Sequence, residues 1–440
     1  MAKNGAVYKT SGSLLKIFSV LVIIAAIALI AIAFITKHSP PVSALDKKVA
    51  PVNKSVNKLS SSLVPATTKV PGSSSGSQNT SGSTPRRENT SPSQQRTTVS
   101  TSTGLNSNSG ELTVTSVSPP SHARGVDPLT HIVVTFSQPL SHNSPMPTLT
   151  PSTAGSWTIA GDQAIFTPTV PFIPLSDVTI SVKNTLSPIT SASGATLTYP
   201  VTSNFIIRTG SPLRIQQLLS ELDYSPLSFT PTGPLIAGTD EAGQISAFYN
   251  PPSGQFAWRQ TTWPSQLTQL WQAGVYNTMT KGMIMEFQAD HGLIVNGRET
   301  AGLFNDLLQA IVNNELNSGG YNYALVNKTP PENLTIWHDG KVVITTPANT
   351  GIASDPTTDG TYPVFAKYRY QVMHGTNPDG SHYSDPVQFV SYFNGGEAVH
   401  YMPRPDYGIP QSLGCVELPL SSAAQVWPWL AYGTLVTVIN

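Results

Sequence analysis

Residues 17–35 carry no charge, and Ser19 is the only polar side chain among them. As a helix the run spans about 28 Å, enough for the hydrocarbon core of a bilayer. Lys3, Lys9 and Lys16 precede it. The positive-inside rule then keeps the N-terminus cytoplasmic and sends the rest of the chain outside. A signal peptide cleaved near Val42-Ser43-Ala44 is the alternative. The apolar run is longer than a usual signal core, so residues 1–36 read as a cytoplasmic tail and an uncleaved signal anchor. Residues 37–110 hold no aromatic residue and are dominated by Ser, Thr, Pro, Asn and Lys. Such a segment cannot bury enough apolar surface to offset its ordering entropy, and it reads as a disordered linker. As a flexible coil it reaches about 50 Å on average, and about 250 Å pulled straight.

Charge divides at the same place. Residues 1–110 hold 12 Lys+Arg against 2 Asp+Glu, a net of +10. Residues 111–440 hold 12 against 22, a net of −10. The basic linker can lie on anionic lipid or anionic wall polymer, or its lysines merely keep it soluble. The acidic remainder argues against nucleic acid as a partner.

Residues 111–210 read as β. Short apolar or alternating runs recur, among them Ile132-Val133-Val134-Thr135-Phe136, Val178-Thr179-Ile180-Ser181-Val182 and Phe205-Ile206-Ile207, with Pro, Gly, Ser and Asn between them. Six or seven strands in about 100 residues suit a sandwich. The stretch resembles the bacterial Ig-like modules that act as surface spacers. His122, His131 and His142 lack metal-ligand spacing and read as solvated histidines.

Residues 211–318 change to helical periodicity. Ser211 stands as N-cap before Pro212, with Leu213, Leu218, Leu219 and Leu222 following. A second helix is predicted from about Thr280 to a C-cap signal at Gly292, and a third from near Thr300 with Leu303, Leu307 and Ile311 inward. The run Phe287-Gln288-Ala289-Asp290-His291-Gly292-Leu293, followed by Asn296-Gly297, resembles the peptidoglycan-binding domain repeat. In that family such a run links two helices of a small bundle. An ordinary bundle that only supports its neighbour stays open, and an insertion over residues 225–279 can cover the groove.

Strands return over residues 321–440, with a tight hairpin expected at Asp339-Gly340, a helix at 421–430 and a closing strand Leu435-Val436-Thr437-Val438-Ile439. The chain's single cysteine, Cys415, lies here and has no disulfide partner. A free thiol is a nucleophile only as thiolate, which a nearby imidazole can generate. His400 stands 15 residues upstream. Gly414 allows a tight turn, and the amides of Leu413 to Cys415 can face a developing oxyanion. A buried structural cysteine is the competing reading. No Cys/His ligand cluster is present, so neither metal nor cofactor is expected.

The whole of residues 321–440 resembles an L,D-transpeptidase catalytic domain of the YkuD-like type. The resemblance is carried by the opening strands, Thr346-Pro347-Ala348-Asn349-Thr350-Gly351, Asp359-Gly360-Thr361-Tyr362-Pro363, the strand ending in His400, the Ser412-x-Gly414-Cys415 turn, and the final helix and strand. It implies a mostly β fold, Cys415 as nucleophile and His400 as base. It also implies that the Tyr401 carbonyl orients the ring and that the Gly414 and Cys415 amides form the oxyanion hole. Two positions depart from the family. Leu413 stands where His, Lys or Arg is usual, and Glu417 where Arg or Asn is usual. Leu413 still offers its amide. Glu417 can raise the thiol pKa or recruit a substrate amine, and a substrate-contact or structural role is favoured. Ser412 matches the family serine, as a hydrogen-bonding site residue or as a turn former. His374, in His374-Gly375-Thr376-Asn377-Pro378, is a rival base, but it lies 41 residues before Cys415 in a polar stretch, 375–385, that reads as a mobile flap. His382, Tyr383 and Tyr392 read as surface or packing residues, with lining of the cleft as the alternative, and His338 is expected to sit on the hairpin surface.

The chain thus reads as multidomain: a transmembrane helix, an Ig-like β-sandwich, a small α-helical bundle and a mostly β YkuD-like catalytic domain. The resemblance implies transfer between peptidoglycan stem peptides through a cysteine acyl-enzyme, giving 3→3 cross-links in the cell wall, possible carboxypeptidase side activity, and acylation by carbapenems. The alternatives are a non-catalytic wall-binding protein, and attachment of a protein to the stem peptide.

Overall fold

The computed structural model describes residues 110–183 and 187–440. The expected membrane helix at 17–35 and the linker as far as residue 109 lie outside the described residues. No described helix is long and apolar enough to cross a membrane.

The first region is a sandwich of eight strands: β1 (Val114–Ser118), β2 (Ala123–Val126), β3 (Ile132–Phe136), β4 (Thr148–Thr150), β5 (Gly155–Ala160), β6 (Gln163–Pro168), β7 (Asp177–Val182) and β8 (Val201–Ile207). One sheet has the order β1-β3-β6-β5 and the other β2-β8-β7-β4. Period-2 alternation makes the core. Ile132, Val134 and Phe136 of β3 face Val178, Ile180, Phe205 and Ile207 of the other sheet, all buried. Each such side chain contributes about 1.5–3 kcal/mol of burial free energy. The count exceeds the six or seven expected because β2 and β4 are short and lack apolar alternation, and only their pairing with β8 and β7 makes them strands.

Next come α1 (Pro212–Glu221), β9 (Leu227–Pro231), α2 (Glu241–Ala247), β10 (Gly254–Trp258), α3 (Ser265–Thr268), α4 (Thr278–Asp290) and α5 (Ala301–Asn313). Ser211 holds the N-cap position of α1, but its side chain makes no capping bond. α4 starts at Thr278, earlier than its apolar pattern suggests, because the Asn277 side chain accepts from the Thr280 amide at 3.0 Å. Gln288 is a brace: its Oε1 accepts from the amides of Asn296 and Gly297 at 3.0 and 2.8 Å, fixing the turn between α4 and α5. The insertion 225–279 contributes the antiparallel β9–β10 pair and two short helices.

The last region holds β11 (Asn322–Asn327), β12 (Asn333–His338), β13 (Lys341–Pro347), β14 (Gly360–Pro363), β15 (Ala366–Thr376), β16 (His382–Asn394), β17 (Glu397–Tyr401), β18 (Val416–Leu418), α6 (Leu420–Val426) and β19 (Leu435–Ile439). A five-stranded sheet, β13-β12-β11-β19-β14, faces a four-stranded one, β15-β16-β17-β18. Ala324, Val326, Leu334, Ile336, Val399, Val416 and Leu418 fill the space between them. Asp339 and Gly340 both take positive φ, +46° and +76°, the geometry of a tight hairpin turn. α6 stops at Val426, short of the expected Leu430, because Pro428 has no N–H to donate to the Ala424 carbonyl and the i→i−4 ladder breaks there. The expected flap at 375–385 is instead the end of a β-ribbon, paired out to Thr376↔His382. Its polar side chains hid the strands, since His374, Thr376, His382 and Ser384 are exposed and the half-buried face at this end carries Gly375 and Asp385, which make no apolar run. α4 meets this region backbone to backbone, and a Cβ at Gly282 would lie 2.6 Å from the Gly433 carbonyl.

Candidate active site

The site grows from one parallel strand pair. β17 and β18 run in the register Val399↔Val416, His400↔Glu417, Tyr401↔Leu418. Val399, Val416 and Leu418 enter the core between the sheets. Alternation therefore turns Ala398, His400 and Glu417 to the opposite face, together with Cys415, which falls opposite Ala398 just before β18 starts. Cys415 is half-buried and packs against Val387, Val390 and Ala398, with Met373, Tyr392 and Met402 at the edge. So residues 15 apart in sequence come to one face at neighbouring strand positions.

A bulge shapes the wall beside His400. Pairing jumps from Gln388↔Tyr401 to Ser391↔Val399, so Phe389 and Val390 oppose His400 alone. Phe389 takes a left-handed φ of +58°, rare for an aromatic residue. His400 is 3% exposed, and its Nδ1 lies 2.9 Å from the Tyr401 carbonyl. A carbonyl only accepts, so Nδ1 carries the proton and Nε2 is left with a lone pair. Burial pushes the imidazole pKa below its usual value, partly opposed by that carbonyl and by Glu417. The resting ring is therefore neutral at pH 7.

The turn before β18 is held from behind. Ser412 Oγ donates to the Cys415 carbonyl at 2.5 Å, and Thr357 Oγ1 approaches the same oxygen at 3.5 Å. The Ser412 amide donates to the Thr350 carbonyl at 2.9 Å. Gly414 turns the chain with a φ of +98°, a region that a side chain would strain. Among the described residues, the amides of Leu413, Gly414 and Cys415 donate to no protein acceptor. They are free donors beside a thiol.

The thiol itself is pushed up to about 12, first by burial and then by Glu417, Glu397 and Asp355, with the Ala398 amide opposing. The resting site is a neutral thiol beside a neutral imidazole. Tyr383 and Tyr392 also feel the thiol, and burial raises both phenols. Across the ribbon from Tyr383 lies Gly375, where an added Cβ would run into the Tyr383 ring. His374 is exposed on the ribbon, opposite Ser384. His382 is exposed too and meets Thr376. His338, expected on the surface, is half-buried, 2.9 Å from Asn322 Oδ1 and against the Trp429 ring.

Three contributors escaped sequence reasoning. Arg404 forks onto Glu417, with Nε donating to Oε2 at 2.7 Å and Nη2 to Oε1 at 2.6 Å. Glu332 holds Thr350 through its amide at 2.7 Å and its hydroxyl at 2.9 Å. Asn349, fully buried, exchanges backbone bonds with Glu417 at 2.8 and 2.9 Å. Its side chain donates to the Asp406 carbonyl at 3.0 Å and accepts from the Gly408 and Ile409 amides at 2.9 and 3.3 Å. Asn349→Ala would orphan the Ile409 amide, while the Gly408 amide keeps the Ala348 carbonyl and the Asp406 carbonyl keeps Gln411, and is expected to cost about 1–3 kcal/mol, read by urea denaturation. The only sequence signal was Asn349 within the quoted Thr346–Gly351 run, since a hub made of backbone partners leaves no spacing rule.

Among the described residues, no three His, Cys, Asp or Glu side chains gather to hold a metal. Residues 321–438 match the family model of the L,D-transpeptidase catalytic domain, and residues 108–207 that of a bacterial Ig-like domain. No curated protein matched the chain. Similar solved structures include an L,D-transpeptidase from Mycobacterium smegmatis, at 15% identity over 75% of this chain and 100% of that one, TM-score 0.26. L,D-transpeptidase 3 from Mycobacterium tuberculosis is 15% identical over 74% of this chain and 99% of that one, TM-score 0.25. The catalytic domain of the E. faecium enzyme is 28% identical over 27% of this chain and 95% of that one, TM-score 0.25. By the family-model match, residues 321–438 are a YkuD-type L,D-transpeptidase catalytic domain, preceded at 108–207 by a bacterial Ig-like domain.

Proposed function

We propose that the chain is a peptidoglycan L,D-transpeptidase that works through a cysteine acyl-enzyme and forms 3→3 cross-links. The carrying observation is the shared face of β17 and β18, where Cys415 and a neutral His400 with a free Nε2 stand at neighbouring positions. His400 Nε2 takes the Cys415 proton as the sulfur attacks the carbonyl between the diamino acid at position 3 of the donor stem and its terminal D-Ala. The unpaired amides of Gly414 and Cys415 receive the oxyanion, with that of Leu413 beside them. As the tetrahedral intermediate collapses, the C–N bond breaks and His400 returns the proton to the leaving D-Ala amine. A side-chain amine of a second stem then attacks the thioester, losing its proton to His400, and the thiol is regenerated. Water in place of the amine gives carboxypeptidase activity. Ser412 acts behind the nucleophile, on the Cys415 carbonyl, and Tyr401 acts through its backbone carbonyl.

In this reading the apolar run at residues 17–35 anchors the enzyme in the membrane and residues 37–110 space it into the wall. A carbapenem offers the same sulfur a strained amide. Mass spectrometry of the protein after incubation with a carbapenem is expected to show one adduct, with the intact carbapenem mass, on the Cys415 peptide. Absence of that adduct would sink the reading.

A further inference from the structure

The best-bonded polar contact beside the imidazole has no part in the mechanism above. Glu417 stands in register with His400 and is 4% exposed. Its two carboxylate oxygens are taken by Nε and Nη2 of Arg404, at 2.7 and 2.6 Å. This is the two-point geometry that only guanidinium offers. Arg404 comes from the loop that leaves β17, so the pair ties that loop across to β18.

The charges around the site come from several elements. Glu417 of β18, Asp385 of β16 and Arg404 act on His400. Glu417, Glu397 of β17 and Asp355 act on Cys415. Of these four carboxylates, Glu417 and Asp385 act on Arg404. Without it, Glu417 would be a buried, uncompensated anion at the strand position next to the imidazole, free to turn onto Nε2.

We propose that Arg404 is a positioning residue: by clamping both oxygens of Glu417 it holds that carboxylate off His400, so a glutamate can occupy this strand position while Nε2 stays available to the thiol. The inference rests on His400 as the base, and it explains how the departure at position 417 is compatible with that role. An unpaired carboxylate at close range favours the charged imidazole, so losing Arg404 converts the base into its spent form at mildly acid pH.

The test follows two readouts in the native protein, Arg404→Ala, Arg404→Ala/Glu417→Gln and the exchanged pair Arg404→Glu/Glu417→Arg. One is the rate of Cys415 acylation by a carbapenem from pH 5 to 9. The other is the titration midpoint of the His400 imidazole by NMR. Arg404→Ala is expected to lose about two- to fivefold in rate at pH 6, to recover above pH 8, and to move the midpoint up by about one unit. Removing the carboxylate as well, or exchanging the pair, restores the native profile. A uniform loss at every pH, or an unmoved midpoint, overturns the proposal. Should Arg404→Ala fail to fold, the exchanged pair decides, because a profile that differs from native overturns it equally. If the native protein is never acylated, the proposed function fails, while the His400 midpoint still decides the role of Arg404.

Discussion

Cys415→Ala is expected to abolish acylation by both carbapenem and tetrapeptide donor, leaving no adduct by mass spectrometry. Alanine removes the sulfur and little else. The Cys415 carbonyl keeps its bonds to Ser412 and Thr357, and Gly414 keeps its turn. The variant should therefore fold and still bind donor, which separates loss of chemistry from loss of structure. Cys415→Ser sharpens the result. A hydroxyl is far harder to ionise than a thiol, so the oxygen variant is also expected to be inactive. An alanine variant that still forms an adduct would place the nucleophile elsewhere.

His400→Ala is expected to lower the acylation rate by about 10²–10⁴-fold, the range for a positioned general base. The pH dependence carries more information than the size. With the thiol pushed up to about 12, only about one part in 10⁵ is ionised at pH 7 without a base. The residual rate of the variant should then climb about tenfold per pH unit through pH 9. The native enzyme should instead be nearly flat there, because its base is already neutral. On the acid side the sign follows from burial, which lowers the His400 pKa. Native activity should persist below pH 6.5 before protonation of Nε2 removes it. A native profile that falls away above pH 6.5, or His374→Ala behaving as described for His400→Ala, would overturn the assignment. The exposed place of His374 on the ribbon argues against that.

Much of the fold could be read locally. The Val-, Ile- and Phe-rich alternations of β3, β7 and β8 gave the sandwich, and Asp339-Gly340 gave a hairpin, because period and turn chemistry act within a few residues. Where the pattern failed, pairing was the cause. β2 and β4 are strands through their neighbours, and β15 and β16 form a ribbon whose polar end carries no apolar alternation. α6 ended early for a local reason, the missing N–H of Pro428, which the apolar pattern masked.

The candidate site divides in the same way. Cys415, Gly414, Ser412 and His400 were legible, since a lone thiol, a turn glycine and an imidazole at family spacing are properties of side-chain type and order. Arg404 was not. Its meaning lies in a fork onto a residue 13 positions away that only strand register brings within 2.6 Å. Glu417 alone read as a substrate-contact or structural residue beside the nucleophile, and the paired structure makes it half of an ion pair. The sequence by itself determined which atoms can do chemistry and the strands whose apolar residues alternate. The tertiary structure decided the protonation of the imidazole, the orphaned amides and the neutralisation of Glu417, because burial and hydrogen-bond partnership are set by contacts distant in the chain.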